Sequence, residues 1–365
     1  MKVKTSGIEP IKRATLKDLA QALSVAPSTI SNAYNRPDQL SIELRERILK
    51  TAKSMGYSGP NPVARGLRQQ RMGVIGVLFG EHLSYAFSDP AAVIFMQGVS
   101  QATEIEGFGL TIVPVPVGAP LESFGVRNAA VDGFIAYCLT SEGLVERVLE
   151  RCLPLVLVDH TPRADIPGIN IQDEYGAQQA ARHLVEQGHQ NIGILTMEMS
   201  VPPRTGWAND LEQAQHTIFE ATKGRLTGYI KELQAAGLVW NKNILVYECN
   251  DTLEQGRLGL RAILERNPKT TAILTMSDVL AFGVLEEAKA KNLRVPQDLS
   301  VVGFDDVPEA ARVGLTSVSQ PHLEKGRLAG EMLIRRLQGE TVNSPPPFQT
   351  KLVVRGSSKL KKRKS

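Results

Sequence analysis

The chain has 365 residues, 42% hydrophobic and 22% charged, which is ordinary for a globular protein and enough for two or three packed cores. Its net charge of +4 hides an asymmetry, because residues 1–71 hold 13 Lys and Arg against 5 Asp and Glu, whereas residues 72–358 hold 24 against 33. No stretch approaches 18 uninterrupted apolar residues and the N-terminus lacks a signal-peptide core, so we expect a cytoplasmic protein that spans no membrane.

A basic module at one end indicates a polyanionic partner at that end only. The chain shows no lipidation signal and no strongly apolar basic helix, so nucleic acid is favoured over a membrane surface. Cys138, Cys152 and Cys249 are odd in number, widely spaced and free of any CxxC pattern. They predict buried, reduced thiols.

Residues 15–57 predict three short helices. Thr15 followed by Asp18 resembles a capping box before the first helix, and Pro27 suits the first position of a second helix that ends near Asn35. Ser41 is a suitable cap for the third helix, and Gly56 a suitable stop. Two helices joined by a three-residue turn and followed by a third form a helix-turn-helix, which places its second helix in the major groove of DNA.

The next segment, SGPNPVARGLRQQRM, has the composition of a linker. From Val74 onward, apolar runs of strand length alternate with helical stretches; the runs are VIGVLF, LTIVPV, GFIAY, LVLVD, NIGIL, ILVYE, TAILT, SVVGF and KLVV. Strands that are apolar on both faces predict parallel sheets covered by helices. Nine of them predict two similar α/β lobes with a cleft between, and residues 200–223 form a connection long enough to cover its mouth.

The predicted domains are an N-terminal arm (1–14, disordered), an all-α helix-turn-helix domain (15–60), a hinge helix and linker (61–72), a two-lobed α/β body (73–356) and a basic disordered tail (357–365). A solvated tail and a tail that makes a second contact with DNA remain alternatives. Isolated helices as short as 62–68 are marginal in water, so we expect the hinge to order only when it is paired.

The segment from Ala14 to Arg68 resembles the N-terminal region of the lactose/galactose repressor (LacI/GalR) family. The matching motifs are TLKDLA, PSTISNAYN, the LS and LRERI of the third helix, GY and NPVARGL. The body, to about residue 356, resembles the family's regulatory domain, which shares its fold with periplasmic sugar-binding proteins. The resemblance implies a homodimeric repressor that binds double-stranded operator DNA under the control of a small effector, a sugar or related metabolite.

The resemblance implies a set of DNA-binding positions: Thr15, Pro27, Ser28, Thr29, Ser31, Asn32, Asn35, Asn61, Ala64, Arg65, Leu67 and Arg68. Pro27, Ser28 and Asn32 match base-reading positions, and an Asn amide suits adenine, with which it forms two hydrogen bonds. Leu67 matches a leucine that wedges into a minor-groove base step. The alternatives are a merely solvated helix face and an ordinary linker leucine. Ala26 departs from the usual capping Ser.

The resemblance also implies effector-binding positions: Tyr85, Phe87, Asp173, Arg225, Ser277, Asp278 and Asp305. Arg225 lies in an Arg-x-x-Gly motif, and its donors suit hydroxyl, carboxylate or phosphate groups. Asp305 closes a strand, at the end where open parallel sheets bind ligands. Alternatives remain: Arg225 as a surface charge, Asp278 or Asp305 as helix caps, and Tyr85 or Phe87 as core residues.

We expect no metal, no cofactor and no catalysis. His183 and His189 lie six residues apart, which does not suit two ligands on one helical face, so we interpret both as structural. The sequence lacks the phosphate-loop, nucleophile-elbow and zinc-protease motifs. The competing interpretation is a cytoplasmic solute-binding protein without a DNA function, which the basic N-terminal module opposes.

Overall fold

The chain divides into two units, Met1–Met72 and Gly73–Ser365, which we call the N-terminal unit and the body. The computed structural model describes residues 14–59, 71–80, 82–115, 125–139, 142–202, 204–215, 217 and 219–358. Within these ranges, no helix is long and apolar enough to cross a membrane.

The N-terminal unit contains the three predicted helices, α1 (Leu16–Leu23), α2 (Pro27–Asn35) and α3 (Ile42–Ser54). The capping box forms before α1, because the Thr15 hydroxyl accepts from the Asp18 amide while the Asp18 carboxylate accepts from the Thr15 amide. Ser24 takes a left-handed conformation (φ 52°), which reverses the chain between α1 and α2. Ala26 provides no capping bond to α2.

One small core holds these helices together. Its buried members are Leu19, Ala20, Ile30, Ala33, Ile48, Ala52 and Tyr57. They come from the apolar face of each helix and from the segment after α3, where the Tyr34 and Tyr57 rings meet edge to face with centroids 6.0 Å apart. This packing leaves the opposite face of α2 open to solvent.

The first lobe of the body is a five-stranded parallel sheet in the order β2-β1-β3-β4-β5. Its elements are β1 (Val74–Phe79), α4 (Tyr85–Ser88), α5 (Pro90–Ile105), β2 (Gly109–Pro114), β3 (Gly133–Tyr137), α6 (Glu142–Leu149), β4 (Leu155–Val158) and β5 (Gly168–Ile169). Every residue of β3 and β4 is buried, as expected of strands covered on both faces.

The second lobe is a seven-stranded sheet in the order β12-β11-β10-β9-β6-β8-β7. The elements from residue 173 onward are α7 (Asp173–Glu186), β6 (Ile192–Thr196), β7 (Gly206–Trp207), α8 (Leu211–Gln215), α9 (Glu220–Ala235), β8 (Ile244–Glu248), α10 (Leu253–Arg266), β9 (Ala272–Thr275), α11 (Asp278–Ala290), β10 (Ser300–Asp305), α12 (Pro308–Val313), β11 (Thr316–Ser319), α13 (His322–Leu337) and β12 (Lys351–Val353). Pairing is parallel except at the edge strands β7 and β12.

The last long helix returns to the first lobe. Although α13 follows β11 of the second sheet, it packs on α5, β3 and β4. The contact between α13 and α5 is close, because a Cβ on Gly98 would lie 2.0 Å from the Leu323 carbonyl oxygen and one on Gly326 would lie 2.0 Å from that of Phe95. The first lobe is thus assembled from two distant parts of the sequence.

Three strands were not predicted. β5 and β7 contain two residues each, too few for a visible pattern. β11 has the sequence TSVS. This composition is typical of a loop, yet the strand is almost wholly buried. Its hydroxyl groups find partners inside the protein: Thr316 Oγ1 lies 2.8 Å from Ser358 Oγ, and Ser317 donates to Asp278 over 2.5 Å.

Two predictions made from composition were wrong in part. All three thiols are unpaired, but Cys152 is exposed, because it lies in the turn after α6 with a φ of 51°. Ser357 and Ser358, which we assigned to the tail, are buried. The Ser357 hydroxyl donates to the Val301 carbonyl oxygen over 2.6 Å, so the folded body continues to Ser358.

Candidate functional site

The exposed face of α2 is the first candidate site. It carries most of the predicted base-reading and phosphate-contacting residues: Pro27, Ser28 and Asn35 are exposed, whereas Thr29, Ser31 and Asn32 are half-buried. Thr15 is also exposed, at the start of α1. A short helix whose inner face packs in a core and whose outer face offers hydroxyl and amide groups has the chemistry needed to read base edges.

Two hydrogen bonds organise this face. Asn32 Nδ2 donates to Gln39 Oε1 over 3.2 Å, and Asn35 Nδ2 donates to the Ser31 carbonyl oxygen over 3.0 Å. Both hydrogen bonds are exposed to solvent, so each amide group can exchange its present partner for a new one at a low cost in free energy. The predicted hinge residues Asn61, Ala64, Arg65, Leu67 and Arg68 lie outside the described residues.

The second candidate site lies where the two lobes of the body meet, and its centre is Arg225 on α9. Only 5% of this residue is exposed. Its Nε donates to Asp173 Oδ1 over 2.8 Å, one Nη donates to the Met276 carbonyl oxygen, and the same nitrogen lies 3.8 Å from Asp305 Oδ1. Its guanidinium group stacks over the Phe304 ring, 3.9 Å from the centroid. Arg225 is therefore no surface charge.

A polar chain runs from this centre to the first lobe. Gln320 donates to Asp305 over 2.7 Å and accepts from Lys325 Nζ over 2.8 Å. Lys325, on α13, is 1% exposed and donates to Asp159 Oδ2 over 2.6 Å. Because Asp159 follows β4 of the first sheet and Asp305 ends β10 of the second, these side chains connect the lobes directly.

A second polar chain approaches from the other side. The Ser277 hydroxyl donates to Asp251 and accepts from the Leu280 amide at the start of α11. Tyr85 Oη donates to the other oxygen of Asp251 over 3.3 Å. Asp89, buried at the start of α5, accepts from the Ala92 amide over 2.7 Å. This chain brings two predicted residues, Ser277 and Tyr85, together with two that were not predicted.

Two predicted effector-binding residues stand apart. Asp278 is buried and accepts from the Val307 amide over 2.9 Å and from the Ser317 hydroxyl, so it ties α11 to the segments around β11. Phe87 is 69% exposed on α4, neither in the core nor in the polar cluster. The structure therefore brings five of the seven predicted effector-binding residues together: Tyr85, Asp173, Arg225, Ser277 and Asp305.

The strand ends at this site have unusual backbones. Cys138 and Asp159, which follow β3 and β4, have φ values of 52°, and Asp305 has a φ of 116°. Residues other than glycine seldom adopt positive φ, and such conformations concentrate at functional sites. Two of these residues belong to the polar chain, because Asp159 accepts from Lys325 and Asp305 accepts from Gln320.

Burial shifts the pKa of the carboxyl groups upward. It raises the pKa of Asp305 to about 7 against the opposing influence of Arg225, and that of Asp173 to about 6. The pKa of Asp89 rises to about 8 because of burial first and the nearby Asp251 second. Burial, Lys325 and Arg225 lower the pKa of His322 well below its usual value, so its ring is neutral. Shifts of this kind mark ligand sites more often than surfaces.

Two openings lead to the cluster. One is a cavity of about 100 Å³ whose lining includes Tyr85, Tyr137, Asp159, Phe219 and Asp251. The other is a cleft of about 580 Å³ whose lining includes Asp159, Asn170, Asp173, Glu220 and Gly224. Phe219 and Glu220 end the connection expected at the cleft mouth, and part of that connection is held by Arg204, which donates to the buried Glu248 over 2.9 Å.

Sequence reasoning missed Asp89, Asp159, Asp251, Gln320 and Lys325. The rule that led to Asp305 also points to three of them, because Asp159, Asp251 and Gln320 directly or closely follow the parallel strands β4, β8 and β11. Asp89 stands before a proline in a helix-start pattern. Lys325 had no local signal, since it occupies one helical position among many and its burial depends on the return of α13.

The two histidines that we interpreted as structural, His183 and His189, have hydrogen-bond partners within the body. His183 hydrogen-bonds to Ser358 and Gln187, and His189 to Thr271 and Ser300. In the part of the chain that the structure describes, no group of three or more His, Cys, Asp or Glu side chains is arranged to hold a metal ion.

Comparison with known proteins places this geometry in context. Residues 181–358 match the periplasmic binding protein-like domain. An HTH-type transcriptional regulator of Mycobacterium tuberculosis is 39% identical over 89% of this chain and 92% of its own length. A solved LacI-family regulator from Corynebacterium glutamicum is 32% identical, with a TM-score of 0.72, over 96% of this chain and 99% of that one.

A third relative was solved with a small molecule. The transcriptional regulator CelR in complex with cellobiose is 27% identical, with a TM-score of 0.67, and covers 94% of this chain and 100% of its own. These similarities span the N-terminal unit as well as the body, which supports a transcriptional regulator over a solute-binding protein. They confirm the expected fold of helix-turn-helix unit and two-lobed α/β body. The chain belongs to the LacI family of helix-turn-helix transcriptional regulators.

Proposed function

We propose that the chain is a homodimeric repressor that binds operator DNA through α2 and the hinge and responds to a small effector bound between the lobes of the body. One observation carries the proposal: the same chain joins an exposed, hydroxyl- and amide-bearing α2 to a body with a buried charged cluster centred on Arg225. The function is regulatory rather than catalytic, and a cytoplasmic location suits it.

On the DNA side, Asn32 and Ser28 read base edges in the major groove, while Thr15, Thr29, Ser31 and Asn35 contact the phosphate backbone. Pro27 offers only an apolar contact. In the hinge, Leu67 wedges into a minor-groove step and Arg65 and Arg68 meet the adjacent phosphates, with Asn61 and Ala64 on the same segment. A dimer is proposed because a two-fold operator presents two half-sites.

On the effector side, Arg225 donates hydrogen bonds to the ligand, and Asp173 and Asp305 accept them. Tyr85, through its ring, and Ser277, through its hydroxyl group, complete the wall of the site, with Asp278 supporting it from below. The cavity of about 100 Å³ is smaller than the roughly 300–1,000 Å³ of typical ligand pockets, whereas the cleft of about 580 Å³ lies within that range, so the effector enters through the cleft and the lobes change their angle around it.

Control of DNA binding follows from this movement. The effector changes the angle between the lobes and thereby the distance between the two hinge segments of a dimer, which pair only at one separation. An effector shifts such an equilibrium only by its difference in affinity for the two states, and reversing a 99:1 population needs about 5.5 kcal/mol.

The test is binding of the full chain to duplex fragments recovered by genome-wide capture, measured by fluorescence anisotropy from 50 to 200 mM salt. We expect the affinity to fall steeply with salt, because phosphate contacts release counterions. Leu67→Ala should weaken binding to the captured site far more than binding to random duplex. If the protein ignores every duplex at low salt, the proposal is wrong; equal losses for both duplexes would remove the role of Leu67 alone.

A further inference from the structure

Carboxyl groups outnumber cations where the lobes meet. Six aspartates surround the cluster from different elements: Asp89 on the N-terminus of α5, Asp159 after β4, Asp173 on α7, Asp251 after β8, Asp278 on α11 and Asp305 on β10. The cations that face them from the described elements are Arg225 on α9 and Lys325 on α13, and His322 on α13 is neutral. The other titratable neighbours include Tyr85, Tyr137, Cys138, Tyr229 and Cys249.

Both cations already have carboxylate partners. Arg225 donates to Asp173 over 2.8 Å, and Lys325 donates to Asp159 over 2.6 Å. Of the remaining acids, Asp278 is satisfied by the Val307 amide and the Ser317 hydroxyl. Asp89, Asp251 and Asp305 are left without an ion pair of their own: Arg225 lowers the pKa of Asp251 and of Asp305, with its Nη1 3.8 Å from Asp305, but burial is the larger influence on both.

Three buried carboxyl groups beside two cations that are already bonded to other aspartates do not all ionise in the empty site. Burial disfavours the charged form of each, and the negative charge of one raises the pKa of the next. The pKa of Asp305 is about 7 and that of Asp89 about 8, so near neutral pH the group retains protons. Ser277 Oγ donates to Asp251, and Tyr85 Oη hydrogen-bonds with both Asp251 and Asp89; these bonds oppose the effect of burial, which still raises the pKa of both carboxyl groups.

We propose that effector binding releases protons from the acidic group Asp89, Asp251 and Asp305, and that the group selects an uncharged, hydroxyl-rich effector over a phosphorylated or carboxylate one. Hydroxyl groups of the effector donate hydrogen bonds to the carboxylates, which favours the ionised form, and the displaced protons pass to solvent. An anionic effector would add like charge to a site whose two cations are occupied. This inference rests on the proposed function of the cleft.

The direction of the pH dependence follows from proton release. Because the complex holds fewer protons than the free protein, affinity increases with pH up to the pKa values of the empty site, about 7 and 8, and levels off above them. Below those values, each proton released raises the association constant about tenfold per pH unit. The effector and protons therefore compete for the same carboxylate oxygens.

The experiment begins with a thermal-shift screen of the full chain against matched pairs: glucose and glucose 6-phosphate, ribose and ribose 5-phosphate, cellobiose and cellobionate, with linear and cyclic polyols added. We expect uncharged compounds to stabilise the protein and their anionic partners to do so far less. Stabilisation by anionic members only, or by no uncharged compound at all, overturns the inference.

The best uncharged compound is then titrated calorimetrically in phosphate and in Tris, whose ionisation heats differ. We expect heats that depend on the buffer, with release of protons, and an association constant at least tenfold higher at pH 8 than at pH 6. Buffer-independent heat, or affinity that does not change with pH, contradicts proton release.

A variant assigns the protons. Asp89→Asn keeps an oxygen that accepts from the Ala92 amide but cannot ionise, so proton release should fall and the pH dependence should flatten. Asp132→Asn is the matched control, because Asp132 is also buried and also accepts from a backbone amide, that of Gly73 over 2.7 Å, but lies outside the acidic group. Equal proton release in wild type and Asp89→Asn would overturn the assignment.

Duplex binding measured on the same samples separates this inference from the proposed function. An effector that changes DNA affinity without proton release contradicts only the inference. Proton release on binding, with no change in DNA affinity, contradicts the proposed regulatory function and leaves the acidic group as assigned.

Discussion

Arg225 illustrates how one side chain is fixed by its surroundings. Its guanidinium group meets Asp173, the Met276 carbonyl and the Phe304 ring, so its position depends on α7, the end of β9 and β10 at once. A planar cation with five donors can satisfy these partners and still offer hydrogen bonds to a ligand. Lysine, with a single nitrogen, could not replace it at this position.

Arg225→Ala should abolish the response of DNA binding to effector while leaving the affinity for DNA within about twofold, because Arg225 belongs to the body rather than to α2. Isothermal calorimetry and anisotropy with the captured duplex measure the two effects. Arg182→Ala removes a different arginine, paired with Glu232 on the exposed faces of α7 and α9, and serves as control. A variant that still responds to effector would exclude Arg225 from the site.

Asn32→Ala should relax base preference at one position in each operator half-site, with a loss of about 1–3 kcal/mol in discrimination, because a bidentate contact to adenine disappears. The measurement is competition between the captured operator and its single-base variants. Gln39→Ala, which removes only the partner of Asn32 in the free protein, should retain the preference. Unchanged discrimination in Asn32→Ala would show that another residue reads that base.

At the scale of residues, a member of the site could be predicted from the sequence where a motif close to it in the chain marks it. The five predicted effector-binding residues that lie together all came from the family resemblance, and a short motif at Arg225 and a strand end at Asp305 supported two of them. Lys325 and Asp89 meet the site only because α13 and α5 pack on the first lobe. No local pattern encodes such a convergence, and the exposure of Phe87 is equally a property of the folded chain.

At the scale of elements, the two closest helix contacts depend on glycine. Gly98 and Gly326 let α5 and α13 meet backbone to backbone, and Gly256 and Gly283 do the same for α10 and α11, where an added Cβ would lie 2.2 and 2.0 Å from a carbonyl oxygen. Contacts this close leave no room for a side chain and hold each pair of helices in one position.

Gly98→Ala should destabilise the body by about 1–3 kcal/mol or more, because the new methyl group overlaps the Leu323 carbonyl and the helices must separate. Urea unfolding followed by circular dichroism measures the loss. Gly109→Ala is the matched control, since its nearest neighbour, the Gly73 carbonyl oxygen, would be 3.8 Å away. A Gly98→Ala protein as stable as the control would mean that α5 and α13 separate easily.

Most elements were predictable because their patterns are strong. Long apolar runs such as those of β1, β3 and β10 were recognised as strands, and the caps of α1 and α3 were recognised from Thr15 and Ser41. β11 was missed because serine and threonine are typical of loops. Their burial in β11 depends on hydrogen-bond partners elsewhere in the fold. The antiparallel direction of the edge strands β7 and β12 was beyond prediction, since direction is decided by the connections and not by composition.

At the scale of the whole molecule, the body joins two lobes through polar groups rather than through apolar packing alone. The path from Lys325 through Gln320 to Asp305 passes directly from one sheet to the other. Hydrogen bonds of this kind break and re-form with small changes of geometry, whereas a close-packed apolar interface would resist them. The junction therefore suits a protein whose lobes change their angle.

Between pH 6.5 and 8, the thermal stability of the body should fall as pH rises. Asp305 and Asp89 have folded-state pKa values of about 7 and 8, above those of unfolded aspartate, so the folded state binds more protons in this range and loses stability as they dissociate. His322 has the opposite effect only below about 6.5, where the unfolded ring gains a proton. Calorimetric melting across this window measures the slope.

The double variant Asp89→Asn, Asp305→Asn should flatten that slope, because neither amide titrates. Asp132→Asn should retain it. A melting temperature that rises with pH in wild type would mean that the acidic group is already ionised in the folded protein.

The position of α13 has a consequence for synthesis on the ribosome. Residues 15–57 are consecutive, so the DNA-reading helices can fold as soon as they emerge. The first sheet, although translated next, lacks the cover of α13 until His322–Leu337 leave the exit tunnel, and contacts so distant in sequence form slowly. A nascent chain thus completes its helix-turn-helix unit well before it can complete the first lobe of the body.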